Sequence, residues 1–130
     1  MKRIILSLGM LLMLAQNGFA MSDLEYDVKI VIASSKVEKQ SIRCEKEVGN
    51  HVKTGNIQEC IKAVRMLKQS SETKYKKYLP DMLSNLALMY DEHGDDLKGY
   101  KYYMEGAKLG SITAQKNLSI MCKESPWACK

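Results

Sequence analysis

The chain has 130 residues and carries 20 lysines and arginines against 15 aspartates and glutamates, a formal net charge of +5 at pH 7. This excess of positive charge is too small to indicate a nucleic-acid-binding protein, whose surface has to neutralise many phosphates. The length predicts one domain with a core of modest size.

The first segment, residues 1–20, has the layout of a secretory signal peptide. Lys2 and Arg3 precede a mainly apolar run over residues 4–15, and a Gly-Phe-Ala tripeptide ends the segment at Ala20. The run is too short for a transmembrane helix, which needs about 20 apolar residues. We therefore expect cleavage near Ala20 and a mature chain with no membrane span, in the periplasm or outside the cell. An uncleaved anchor, or a later start of translation, is the alternative.

The next segment, residues 21–36, contains the run DLEYDVKIVIASS. Val28, Ile30 and Ile32 alternate as they would in a strand, but the sequence has no second strand-like run to pair with it. A lone strand would leave its backbone hydrogen bonds unmade, so a short helix is the better prediction. The pattern leaves open whether this segment packs onto the rest of the chain.

Residues 37–130 have the apolar spacing of helices and are predicted to form one all-α domain. A first helix ends at Gly49 or Gly55. Asn56 then begins a second helix, whose apolar residues over 57–67 follow the i, i+3, i+4, i+7 rule. The polar and basic run QSSETKYKKY is predicted to be a connection with a helical turn.

The second half of the chain is marked by residues that start and stop helices. Pro80 fits the first turn of a helix, where its missing N–H is not needed. Gly94 and Gly110 are placed to end helices, and Asp95 and Ser111 to start the helices that follow. The whole pattern predicts an all-α fold of five or six helices, each of about 12 residues, joined by short turns.

All four cysteines lie after the predicted signal peptide. They are Cys44, Cys60, Cys122 and Cys129. An even number of cysteines in an exported chain favours two disulfides, although four cysteines allow three pairings. A metal site is a poor alternative, because the spacings contain no paired Cys-x-x-Cys motif and the chain has only two histidines.

The pairing of Cys44 with Cys60 depends on where the helix between them ends. If that helix continued to Gly55, the two cysteines would lie about 9 Å apart along the hairpin at a rise of about 1.5 Å per residue, which is too far for a disulfide. If it ends near Gly49, both cysteines lie within about one turn of the loop and can pair. The other two cysteines bracket KESPWA, whose proline suits a tight return. We therefore favour Cys44 with Cys60, and a second bridge closing 122–129.

One short motif occurs twice, as NLALMY at 85–90 and as NLSIMC at 117–122. Self-similarity with a period of about 30 residues is typical of stacked helix pairs. We expect Leu86 and Leu118 to pack inside, and a neighbouring stripe on both helices to line a concave, partner-binding face. The residues of that stripe are Asn85, Met89, Asn117 and Met121. In the alternative interpretation the methionines fill the core and the asparagines cap helices or face solvent.

The stretch from the first motif to the second resembles the Sel-one-like repeat family, a branch of the tetratricopeptide-type α/α repeats. The matching positions combine small and large residues at the spacing that the family expects, except that Gly94 comes one place late. They are Leu86, Tyr90, Gly94, Gly99, Tyr102, Tyr103, Gly106, Ala107, Gly110, Ala114 and Leu118. The chain departs from the family at Ala87 and Ser119, where the family prefers glycine. The resemblance implies a short solenoid of stacked helix-turn-helix units over 37–130, clearest at 80–122, with small residues where two helices approach closely.

The sequence contains no constellation that demands catalysis. His51 and His93 lie in or beside predicted turns without a nucleophile to activate. The acidic residues around Gly94 lack the alternating spacing of a calcium loop and are interpreted as helix-end and capping residues. We therefore expect no catalytic residue, no metal and no cofactor.

These observations predict an exported, non-catalytic protein–protein interaction module, as the resemblance also implies. The narrowest form of this hypothesis is an immunity-type inhibitor of a cell-envelope toxin or hydrolase. From residue 36 to residue 78 the chain has eleven lysines and arginines against five glutamates, which suits an acidic partner or anionic lipid, or is only a solvated face. The alternative function, implied by cysteine-rich members of the family, is a peptidoglycan- or β-lactam-binding protein or hydrolase.

Overall fold

The computed structural model describes residues 21–129, so the predicted signal peptide lies outside the described residues. Within this range the chain is all-helical, which confirms the predicted fold class. The helices are α1 (Asp23–Ile32), α2 (Lys36–Asn50), α3 (Ile57–Gln69), α4 (Thr73–Lys76), α5 (Leu79–Glu92), α6 (Asp96–Lys108) and α7 (Ile112–Glu124), followed by a 3₁₀ turn at Pro126–Cys129. The described part has seven α-helices rather than five or six, because it includes α4, a single turn within the predicted connection.

The helix α1 is stabilised by a capping box at its start. The Ser22 side chain accepts a hydrogen bond from the Glu25 N–H at 3.2 Å, and the Glu25 carboxylate accepts one from the Ser22 N–H at 2.9 Å. The helix expected here is therefore confirmed, despite the strand-like alternation of its sequence. Tyr26 is buried in the core, so this N-terminal segment does pack onto the rest of the chain.

Polar contacts also hold α1 against α2. Lys39 Nζ donates to the Ile30 carbonyl oxygen at 2.7 Å, at the end of α1 where helical carbonyl groups lack partners. Lys46 Nζ forms an ion pair with Asp27 at 2.9 Å. The two helices are thus joined by charged contacts as well as by the apolar core.

The disulfide between Cys44 and Cys60 joins α2 to α3. The helix α2 ends at Asn50, close to the earlier of the two predicted ends, and the Asn56 side chain caps α3 by accepting the Gln58 N–H at 2.9 Å. This geometry brings the two cysteine Cα atoms to 4.5 Å, and both side chains are fully buried. The predicted pairing, and the reason given for it, are confirmed.

The central helix of the fold is α5. It contacts α2, α3, α6 and α7, and every residue from 82 to 89 is buried. Because neighbouring helices cover α5 on all sides, its polar residues are enclosed as fully as its apolar ones: Ser84 and Asn85 are each 2% exposed.

The helices α5 and α6 approach each other closely at two glycines. A Cβ atom added to Gly99 would lie 3.2 Å from the Ala87 carbonyl oxygen, and one added to Gly106 would lie 3.0 Å from the Pro80 carbonyl oxygen. Any larger residue would push the helices apart. Small residues therefore stand where the expected close approach of two helices occurs.

The predicted helix ends of the second half are confirmed by backbone geometry. Gly94 and Gly110 follow α5 and α6 with φ angles of 92° and 103°, in the left-handed region that favours glycine. The side chains of Asp95 and Ser111 each accept a hydrogen bond from a backbone N–H in the first turn of the next helix, both at 3.1 Å.

A second disulfide, between Cys122 and Cys129, closes the C-terminal turn with its Cα atoms 4.6 Å apart, as expected. The ring of Trp127 packs edge-on against Tyr100 of α6 at a centroid distance of 5.3 Å. Two disulfides indicate an oxidising location outside the cytoplasm. Over residues 21–129, no helix has both the length and the apolar character needed to cross a bilayer.

Candidate binding surfaces

The predicted partner-binding stripe lies in the interior of the protein. Asn85 is 2% exposed, and Met89, Asn117 and Met121 are fully buried. None of these four side chains presents surface to a partner, which corrects the expectation of an exposed stripe. Leu118, which was expected to pack inside, is only partly buried at the edge of the core.

The physical reason for this correction is the position of the two helices that carry the repeated motif. Neighbours cover α5 on all sides, so no stripe of it is left open. On α7 the side that faces the core carries Asn117 and Met121 rather than Leu118. Asn85 Nδ2 lies 3.8 Å from the Met82 sulfur, and Asn85 Oδ1 has no hydrogen-bond partner among the described residues.

The two histidines occupy helix ends. His51 Nε2 lies 2.9 Å from the Asp23 carboxylate, to which Asn50 also donates at 2.9 Å. The hydrogen bond from Asn50, followed by that from His51, lowers the pKa of Asp23 from its ordinary value of 3.8. This cluster joins α1 to the end of α2. His93 follows α5 and is exposed.

Among the acidic residues around Gly94, Asp95 caps the start of α6, in agreement with its interpretation as a capping residue. In the part of the chain that the structure describes, no group of three or more histidine, cysteine, aspartate or glutamate side chains is placed to hold a metal ion. Other surfaces of the protein are better placed to bind a partner than the buried stripe or the helix ends.

An apolar strip on α1, here named the α1 ridge, is the first such surface. Its four large aliphatic side chains recur at i, i+4, i+7 and i+8 and therefore project from one side of the helix. They are Leu24 (71% exposed), Val28 (51%), Val31 (75%) and Ile32 (74%). At 100° per residue, the exposed Glu25 and Asp27 lie on the two flanks of the ridge.

Sequence reasoning missed the α1 ridge, although the signal was present. The alternation of Val28, Ile30 and Ile32 indicates a strand period, whereas a helix places Val28 and Ile32 on one side and Ile30 on another. With Tyr26 facing the core, the helical period would have predicted an apolar strip on the opposite side of α1.

A groove between α3 and α6, here named the α3–α6 groove, is the second surface. It forms an open cavity of about 300 Å³. Seven residues line it: Ile61, Val64, Arg65, Lys68 and Gln69 of α3, Leu86 of α5 and Tyr102 of α6. Three helices that are distant in sequence therefore contribute to one concave site.

Cationic and aromatic side chains surround the α3–α6 groove. Lys68 Nζ forms an ion pair with Glu105 of α6 at 2.7 Å, and the Tyr102 ring stacks on Tyr90 at 5.5 Å. Lys98 lies 5.3 Å above the centre of the Tyr90 ring. Burial, followed by the charge of the neighbouring Tyr102 hydroxyl, raises the pKa of the Tyr90 hydroxyl.

Comparison with protein-family models, curated proteins and solved structures finds no match to this chain. The similarity to α/α repeats therefore stays a prediction from the residue pattern, and the assignment of binding surfaces depends on geometry alone.

Proposed function

We propose that the protein is an exported, non-catalytic protein–protein interaction module. The observation that carries this proposal is the α1 ridge, four aliphatic side chains that are half to three-quarters exposed on one helix. Full burial of an aliphatic side chain contributes about 1.5–3 kcal/mol, so a partner that covers the ridge gains several kcal/mol. Exposed apolar patches with a polar border are typical of interaction sites.

The flanks of the ridge favour a protein partner over a lipid surface. Glu25 brings negative charge to one flank of the strip, and on the other flank the charge of Asp27 is balanced by its ion pair with Lys46. The Glu25 carboxylate would repel an anionic membrane, whereas an apolar protein surface bordered by lysine or arginine would be attracted. The two disulfides, which suit an exported protein, support a partner in the cell envelope or outside the cell.

The experiment is capture of a partner by the tagged full chain from its own cell-envelope fraction, beside a ridge variant carrying Leu24→Gln and Val31→Gln. Glutamine is a good helix former, so α1 should persist. The matched control carries Leu97→Gln and Ile112→Gln, which remove exposed aliphatic side chains on α6 and α7.

We expect a stoichiometric partner with the native chain and the control, and its loss with the ridge variant. A partner retained by a folded ridge variant would reject the ridge as the contact surface. A dimer that dissociates only in the ridge variant would make the partner a second copy. If the native chain captured no protein, the proposal of a protein–protein interaction module would be rejected, and recognition of cell-wall material would be favoured.

The narrower proposal, an immunity-type inhibitor, rests on small size, predicted export and the exposed ridge. It requires that the captured partner be a toxin or hydrolase of the cell envelope, and that expression of the protein protect a susceptible host. A ridge variant that still protects the host would contradict it.

A further inference from the structure

The floor of the α3–α6 groove is apolar and preformed. Val64 is 5% exposed and Leu86 is 1% exposed, and Ile61 packs beside them as a partly buried residue. Tyr102 forms the facing wall and is held in place by parallel stacking on Tyr90, with 5° between the ring planes. The cavity of about 300 Å³ lies at the small end of the range for ligand sites and suits one or two large apolar side chains.

The rim of the groove is cationic. Lys68 is fixed across the gap between the helices by its ion pair with Glu105. Arg65 lines the groove and makes no ion pair or hydrogen bond within residues 21–129. Among the described residues that line the groove there is no carboxylate, and the nearby carboxylate of Glu105 is paired with Lys68. Lys101, 5.4 Å above the Tyr102 ring, adds positive charge beside the aromatic wall.

This combination of floor and rim defines the chemistry of a ligand. An apolar side chain would fill the floor, and a carboxylate beside it would meet Arg65, whose planar guanidinium pairs with carboxylates through two hydrogen bonds. We propose that the α3–α6 groove is a second binding site, which takes an acidic peptide segment with large apolar side chains between its carboxylates. The inference rests on the proposed function only in taking a protein segment as the ligand.

A nucleic acid or a free phosphate fits the groove less well. Either would satisfy the cations but leave the partly exposed apolar surface of Ile61 and Tyr102 uncovered, whereas an apolar side chain of a peptide removes that surface from water. Nucleic acid binding also relies on many phosphate contacts. Among the described residues that line the groove, only Arg65 and Lys68 are charged, and Lys68 is already paired with Glu105.

The test uses the full chain in its oxidised form and three fluorescein-labelled peptides. The first has leucine and phenylalanine between two aspartates, the second replaces the apolar pair by glycines, and the third replaces the aspartates by lysines. We expect the first peptide to bind at least tenfold more tightly than either of the others, measured by fluorescence anisotropy. Methyl and ring signals of Val64 and Tyr102 should shift in NMR spectra on addition of the first peptide only.

The variant Arg65→Glu removes the unpaired cation, and Lys62→Glu is its matched control. Both are exposed cations on α3, but Lys62 does not line the groove. We expect Arg65→Glu to weaken binding of the first peptide at least tenfold and Lys62→Glu to change it less than threefold. Circular dichroism checks that both variants keep their helicity.

Several outcomes would overturn the groove as a peptide site. They are no saturable binding of the first peptide at millimolar concentration, equal binding of the glycine peptide or of a short oligonucleotide, and equal losses for Arg65→Glu and Lys62→Glu. The ridge variant separates this proposal from the proposed function. If it loses the captured partner but binds the peptide normally, the two sites act independently. Peptide failure with intact partner capture rejects the groove alone.

Discussion

Replacing Cys44 and Cys60 together by alanine should destabilise the protein strongly. Their bridge closes a loop with a sequence separation of 16, and constraining a loop of that size in the unfolded chain contributes about 3 kcal/mol. Both side chains are fully buried, so removing two sulfur atoms from the core costs about a further 1–2 kcal/mol in packing. We expect a total loss of about 4–5 kcal/mol in the free energy of unfolding.

The second disulfide provides a built-in comparison. Cys122 and Cys129 have a sequence separation of only 7, and Cys129 is exposed. The same loop argument gives about 2.5 kcal/mol, with little added loss of packing. Replacing this pair by alanine should therefore cost about 2 kcal/mol less than replacing the first pair.

The assay is urea unfolding at pH 7 followed by the helical circular dichroism signal, with the slope of the transition checked for constancy. A domain of this size has a total stability of about 5–15 kcal/mol, so the first double variant keeps a measurable folded fraction. If both double variants lose the same free energy of unfolding, or if the variant of the C-terminal pair loses more, burial and loop length do not determine how much each disulfide stabilises the protein.

Three further changes test packing, pH dependence and the buried stripe. Gly106→Ala should cost about 1 kcal/mol in the free energy of unfolding, because crowding against the Pro80 carbonyl oxygen at 3.0 Å outweighs the better helix propensity of alanine. The pKa of Asp23 is lowered in the folded state, so the stabilisation from its ionised carboxylate is present above pH 3.8 and is lost as the pH falls through the lower folded pKa. Asp23→Asn should therefore reduce the free energy of unfolding more at pH 7 than at pH 2.5. Asn85→Leu should raise the free energy of unfolding by up to about 1 kcal/mol, because it replaces a buried oxygen that has no hydrogen-bond partner among the described residues.

The same urea assay serves all three, and each has an outcome that contradicts its reasoning. Lys108→Ala, an exposed change on the same helix as Gly106, should leave stability unchanged; a stabilising Gly106→Ala would mean that α5 and α6 separate freely. A cost of Asp23→Asn that is the same at both pH values would argue against the hydrogen bonds to Asn50 and His51. Loss of partner capture by a folded Asn85→Leu protein would return the binding site to the buried stripe.

The local structure of this protein was accessible from its sequence, because helix ends are set by neighbouring residues. Asn56, Asp95 and Ser111 cap helices with their own side chains, and Gly94 and Gly110 adopt φ angles that other residues avoid. The end of α2 near Gly49 in turn fixes the height of Cys44 beside Cys60, and so the first disulfide followed from chain geometry.

The faces that are buried and the faces that are exposed were decided only by the tertiary structure. Apolar spacing locates a helix but does not say how many neighbours surround it, so the enclosure of α5 turned a predicted binding stripe into core. The α3–α6 groove joins Arg65 of one helix to Tyr102 of another, which no local pattern could align. The side of α1 that carries Tyr26 packs against the rest of the protein, whereas the α1 ridge on the opposite side stays exposed.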